Sequence, residues 1–128
     1  MKLISHGSLL GIALAAAALL AQTPSVQRTV VHRADVSVPG REAVIVHVEF
    51  ARGVTTGRHT HPGEEISYVT DGEGELLIED QPVRKIKAGD GFVIPPGKKH
   101  EARNTGETLK IVAVYLVEKG KPLATPAP

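Results

Sequence analysis

The sequence contains no cysteine and no tryptophan, and only two phenylalanines and two tyrosines among its 128 residues. Without thiols there are no disulfides, no lipoprotein attachment point and no soft-metal thiolate cage. With so few aromatic rings, the core has to be assembled mainly from Val, Ile, Leu and Ala. Charge of one sign is also missing. The 15 basic and 14 acidic side chains leave a formal +1 at pH 7, which gives no basic field for nucleic acid. There is no repeat of solenoid length and no convincing amphipathic helix. The length suits a single domain with one modest core.

Long hydrophobic runs are represented by one segment, Leu9 to Ala21, which is 13 apolar residues without a charge, behind Lys2. A membrane span needs about 20. A positive start, a short apolar run and small residues near its end read as a secretory signal peptide over 1–21, cleaved after Ala21. The competing reading is an uncleaved anchor. The expected mature protein is periplasmic or secreted, near neutral in charge, and has no membrane partner once the signal is removed.

What remains is rich in β-branched residues and turn signals. "RTVVHRADVSV" (Arg28 to Val38) runs to Pro39-Gly40. "AVIVHVEFA" (Ala43 to Ala51) places Val44, Val46, Val48 and Phe50 on one face and Ile45, His47 and Glu49 on the other. "EISYVT" and "ELLIED" flank Asp71-Gly72 and read as a hairpin. "PVRKIK" leads to a turn at Ala88-Gly89-Asp90, "GFVI" stops at Pro95-Pro96, and "HEARN" runs to Thr105-Gly106. "LKIVAVYLVE" (Leu109 to Glu118) is apolar on both faces, so it should be covered twice, by the amino-terminal strands or by a second copy in a homodimer. Short strands at this spacing predict an all-β sandwich or barrel. The Pro/Ala-rich end, 119–128, reads as a disordered tail.

The stretch "GRHTHPGEE" (Gly57 to Glu65) concentrates ionisable groups around one turn. On a strand, residues two apart share a face at roughly 6.5–7 Å. His59 and His61 therefore converge, with Thr60 opposite, and a turn at Pro62-Gly63 would bring Glu65 back beside them while Glu64 faces away. Alone, these residues read more readily as a polar strand end on the surface. A second segment, "GDGFVIPPGKKHEARN", delivers His100 after the rigid Pro95-Pro96-Gly97 turn.

Together the two segments resemble the cupins. The first cupin motif, G-x5-H-x-H-x3-E-x6-G, is filled by Gly53, His59, His61, Glu65 and Gly72. The second, G-x5-P-x-G-x2-H-x3-N, is filled by Gly89, Pro95, Gly97, His100 and Asn104. Sixteen residues, Glu73 to Ala88, separate them, as in a small single-domain member of quercetin-dioxygenase-like type. The resemblance implies one cupin domain over 28–118, a jelly-roll β-barrel. It also implies a metal centre in which His59, His61, Glu65 and His100 bind one divalent ion. Three imidazoles and a carboxylate suit Fe, Mn, Ni, Cu, Co or Zn. An octahedral ion would keep two open positions, whereas a tetrahedral zinc would be saturated. Gly72 and Gly89 are expected at chain reversals that need positive φ, and Asn104 is expected to tie down a loop.

The remaining candidates are weighed on parity. His47 is a base within reach of the lumen or a half-exposed strand histidine, and His32 has less support. Ser67 and Val69 should line the cavity, and Tyr68 should pack between layers. Phe92 and Ile94 should close an apolar wall. Arg58 and Arg103 flank ligands and are candidates to hold an anionic substrate, but adjacency turns them away from the metal and favours solvated surface. The function these readings imply is an exported metal-dependent enzyme of dioxygenase type with a small organic substrate. The alternatives are a cupin lyase or isomerase, which needs a base, and a non-catalytic binding module for a small molecule or metal.

Overall fold

The alternation of side chains across 43–51 is realised as a strand with one dry and one wet face. In the computed structural model, which describes residues 25–128, β2 spans Arg41–Phe50. Val44, Val46, Val48 and Phe50 are buried, while His47 and Glu49 point away into solvent. The 1–21 segment read as a signal peptide lies outside the described residues. β1 (Val26–Asp35) pairs antiparallel with β2 as an edge strand, and most of its residues are exposed. The other strands are β3 (His59–Thr60), β4 (Gly63–Ile78), β5 (Arg84–Lys87), β6 (Gly91–Ile94), β7 (His100–Glu118) and β8 (Thr125–Pro126). No helix occurs among the described residues.

β4 and β7 organise the barrel because each runs through both of its layers. The first half of β4 pairs with the second half of β7, from Gly63↔Val117 to Gly72↔Leu109. The second half of β4 pairs with the first half of β7, from Gly74↔Asn104 to Ile78↔His100. β2, β1 and β6 widen the first layer, and β3, β8 and β5 widen the second. The sheet thus curls on itself, as the jelly-roll expectation required. One cluster fills the space between the layers, including Val44, Val46, Val69, Leu76, Ile86, Ile94 and Leu109.

Two expected breaks prove to be corners within continuous strands. Asp71-Gly72 does not reverse the chain. The register passes from Val69↔Ile111 to Asp71↔Lys110 and skips Thr70. Opposite, residues 105–108 of β7 face Glu73 alone, between Gly72↔Leu109 and Gly74↔Asn104. Extra residues of this kind bend a strand and swap which alternate side chains face inward. On β4 the buried set moves from Glu65, Ser67 and Val69 to Leu76, and on β7 from His100, Ala102 and Asn104 to Leu109, Ile111, Ala113, Tyr115 and Val117. Gly72 is needed here because its φ is +79° and a Cβ would sit 1.8 Å from the Thr108 carbonyl oxygen. A reversal and a bulge draw on the same local chemistry, which is why sequence alone mistook one for the other.

Three further expectations need correction. The 119–128 tail is ordered, and β8 pairs His59↔Pro126 and Thr60↔Thr125. Its order comes from backbone hydrogen bonding, such as Ala127 N–H to the Arg58 carbonyl at 3.0 Å, which composition does not report. Tyr68 does not pack between layers but is 53% exposed on the outer face, because parity turns it away from buried Ser67 and Val69. The amino-terminal strands lie beside β7 in its own layer and not over its outer row.

Asn104 behaves as expected. It is 1% exposed and its amide donates to the carbonyls of Phe50 and Ala51, both at 3.2 Å, while its oxygen accepts from Gly106 N–H at 2.9 Å. Asn104→Ala should strand these buried groups and lower stability by about 2–4 kcal/mol. Urea denaturation should show a lower midpoint at an unchanged m-value.

Candidate metal centre

His59 lies on β3, His61 just beyond it, Glu65 near the start of β4 and His100 at the start of β7. Two register facts bring them together. β3 pairs His59 directly with His100, and β4 enters beside β7 after the Pro62-Gly63 turn. One donor atom from each of the four side chains falls within 4.8 Å of the other three. The ring centroids are 4.7 Å apart for His59–His61, 4.3 Å for His59–His100 and 5.0 Å for His61–His100. His61, Glu65 and His100 are buried and His59 is half-buried. Glu64 faces outward, as parity predicts, and reaches Arg41 at 3.7 Å.

Each imidazole is held by its other nitrogen. Nδ1 of His59 lies 2.8 Å from the Gly57 carbonyl, that of His61 2.7 Å from Leu123 and that of His100 2.9 Å from Lys98. A carbonyl only accepts, so all three Nδ1 atoms carry protons and donate. In a neutral ring, Nε2 is then left with a bare lone pair. These lone pairs meet: His59 and His61 Nε2 are 3.2 Å apart, and Glu65 Oε2 is 3.0 Å from Nε2 of both His61 and His100. Four acceptors crowded this closely repel unless a cation lies among them. This arrangement fits a metal ion, with backbone carbonyls setting each ring's tautomer and direction.

Electrostatics keep His59 and Glu65 in their metal-binding forms. Burial lowers His59 to about 4, helped by its imidazole neighbours and opposed by its bond to Gly57. Burial alone would raise Glu65, but in the metal-free site any proton that His100 or His61 takes up at Nε2 is shared with its carboxylate, and together with the hydrogen bond from Ser67 this outweighs burial and holds the carboxyl well below the usual range. Ser67 is buried and donates to Glu65 Oε1 at 2.7 Å, so it braces the carboxylate.

The cluster opens onto a cavity of about 510 Å³. Val30, Val46, Val48, Phe50, Phe92 and Ile111 make much of its wall, and Phe92 closes it as expected. His47 and His32 are exposed on the outside and take no part. Arg103 is tied to Glu75 at 2.5 Å. Arg58 is exposed, as expected, and also lines the cavity, as does Arg28. The most consequential residue missed by sequence reading is Tyr115, which is 6% exposed with its ring 4.6 Å from that of His61. Its signal was its parity with Leu109, Ile111 and Ala113 on an otherwise aliphatic strand. The Leu123 carbonyl, a backbone atom, had no signal.

Comparison with known proteins agrees with this geometry. The Cupin domain family matches residues 46–115. The dimethylsulfoniopropionate lyase DddQ of Ruegeria pomeroyi is 42% identical over 45 residues, which is 35% of this chain and 22% of that protein. Its crystal structure superposes with a TM-score of 0.60 at 26% identity, over 66% of this chain and 43% of that one. A double-stranded β-helix protein of Klebsiella pneumoniae superposes at 0.65 with 28% identity, over 80% and 90% of the two chains. The polyketide cyclase RemF of Streptomyces resistomycificus gives 0.59 at 25%, over 67% and 61%. Matches to the curated relatives span less than half of their length.

Two outcomes follow. Deleting 121–128 removes the carbonyl that orients His61, and Co(II) affinity measured by chelator competition should fall by about 10–100-fold. In metal-free protein, His59 takes up its proton near 4 when folded but at its ordinary 6.5 when unfolded, so stability should fall as pH drops through that window. The contribution of Glu65, present above its ordinary 4.5, is lost at lower pH and acts in the same direction. Urea midpoints at pH 7.5 and 4.5 would show the difference.

Proposed function

The chain belongs to the cupin family, and from that premise we propose that it is a metal-dependent enzyme acting on a small organic molecule by proton-transfer chemistry, as a lyase, isomerase or cyclase. The observation that carries this reading is the Tyr115 phenol on the cavity wall beside the four-donor cluster. His59, His61, Glu65 and His100 would hold the ion. When bound, a divalent ion of this kind supplies a Lewis acid that polarises a carbonyl or carboxylate oxygen.

The remaining work falls to the chain itself. Burial, with the charge of Glu65, pushes the Tyr115 phenol up, so it stays protonated at neutral pH. Its hydroxyl makes no hydrogen bond among the described residues and is open to a ligand in the cavity. It is therefore placed to donate a proton to, or stabilise, an oxygen that gains charge. Sequence reading disfavoured this class for want of an unligated acid–base group; Tyr115 supplies the acid, and the carboxylate of Glu65 is the cavity group able to accept a proton. Relatives named as a lyase and a cyclase support the same class.

Dioxygenase-type chemistry remains the second reading, favoured by the same donor set beside an apolar cavity. Oxygen uptake with flavonoids, catechols and diketones separates the two. Under the first reading, the protein should exchange solvent deuterium into or eliminate from carbonyl or carboxylate substrates without consuming oxygen. Tyr115→Phe should retain metal and lose about 10²–10⁴-fold in turnover, while His100→Ala should lose the metal itself. Tyr115→Phe turning over at the native rate would defeat the proton-transfer reading. A native protein that binds metal and ligands without turnover would leave a binding module.

A further inference from the structure

We propose that the cavity takes a small organic anion, a carboxylate with an apolar body, and that Arg28 together with Arg58 holds its charged end. The inference rests on the cavity being the substrate site and specifies the class of molecule that enters it.

The chain has seven arginines, all within the described residues. Arg33 pairs with Glu42, Arg41 with Glu64, Arg52 with Glu107 and Arg103 with Glu75. Arg84 donates to the Gly91 carbonyl. Arg28 and Arg58 have neither an acidic partner nor a side-chain hydrogen bond among the described residues, and both line the cavity. All but two guanidinium groups are therefore committed to the protein, and the uncommitted two line the same cavity.

Register explains how Arg28 comes to be there. β1 sets Val26, Arg28 and Val30 opposite Phe50, Val48 and Val46, the inward row of β2. Arg28 thus interrupts an apolar inward row with a cation, and its charge is felt at the Tyr115 phenol. Arg58 immediately precedes the first histidine of the cluster, and its carbonyl is fixed by Ala127 N–H. The cavity's one acid, Glu65, is turned to Ser67, His61 and His100 and makes no ion pair with either arginine. No internal counter-ion is left for the arginines, so the matching negative charge has to arrive with the ligand. A planar guanidinium fork matches a carboxylate through two parallel hydrogen bonds. The aliphatic and phenyl wall suits an apolar body, and the volume lies in the usual range for small-molecule sites.

The test compares 3-phenylpropanoate with 3-phenylpropanamide, probes of near-identical shape that differ in charge. Calorimetric titrations use the full chain, metal-loaded and chelator-stripped, so that coordination of the carboxylate by the ion is separated from capture by the arginines. The acid should bind at least about tenfold more tightly than the amide in both forms. The Arg28→Gln/Arg58→Gln double variant should bring that ratio close to one, and Arg28→Lys should keep part of it. Both positions are exposed, so circular dichroism should show an undisturbed fold. Equal affinities in the native protein would overturn the proposal. So would a preference that survives the double variant, or one that disappears with the metal. Failure of the enzymatic reading would appear instead as absent metal or turnover and would leave the ratio intact.

Discussion

Three backbone carbonyls decide what the histidines of this protein can do. Gly57, Leu123 and Lys98 each claim one Nδ1 proton, and no ring can then offer its partners anything but an Nε2 lone pair. The carbonyls come from a loop ahead of β3, from the tail and from the turn before β7, so three distant pieces of chain must be correctly placed at once. The Pro95-Pro96-Gly97 turn helps to join them, because Gly97 N–H donates to the His61 carbonyl at 3.0 Å. A convergent set of lone pairs around an anionic carboxylate is unfavourable by itself. The core between the layers supplies the burial that holds it together.

The parts of this arrangement that sequence made legible are those that depend on side-chain identity at short range. The period of two in β2 sorted its faces correctly, and the spacing of His59, His61 and Glu65 placed all three on one side. His100 needed a longer argument, the resemblance carried by ten motif positions, and the His59↔His100 pairing agrees with it. The corners at Thr70 and at 105–108 were hidden because glycine and small polar residues serve bulges and turns alike, and only the partner strand distinguishes them. The tail was hidden for a different reason. Its contribution is made by backbone atoms, and Pro and Ala in the sequence say little about where a carbonyl will point.

Tyr115 was obscured by the same corners, and Arg28 by its edge strand. Inward parity changes across each corner, so a reader who counts along β7 from His100 places Tyr115 on the wrong face. Arg28 sits on an edge strand whose two faces look alike in composition, and only its pairing with Val48 shows which face is the lumen. The polar groups of this cavity that sequence reading missed thus lie where alternation is locally broken or locally uninformative. The resulting cavity combines a metal-binding cluster, a phenol, uncommitted guanidinium groups and a hydrocarbon wall.

β3 and β8, the two-residue strands that carry or flank His59, differ in character from the long strands that carry Glu65 and His100. They are attached by a single register pair to β7 and by two to each other. A rim so lightly laced has little stiffness of its own, whereas β4 and β7 are woven together along most of their length. An ion shared between them would rivet the soft rim to the rigid body. Gaping of the barrel mouth and escape of the ion then become a single motion, and any guest seated inside slows both together.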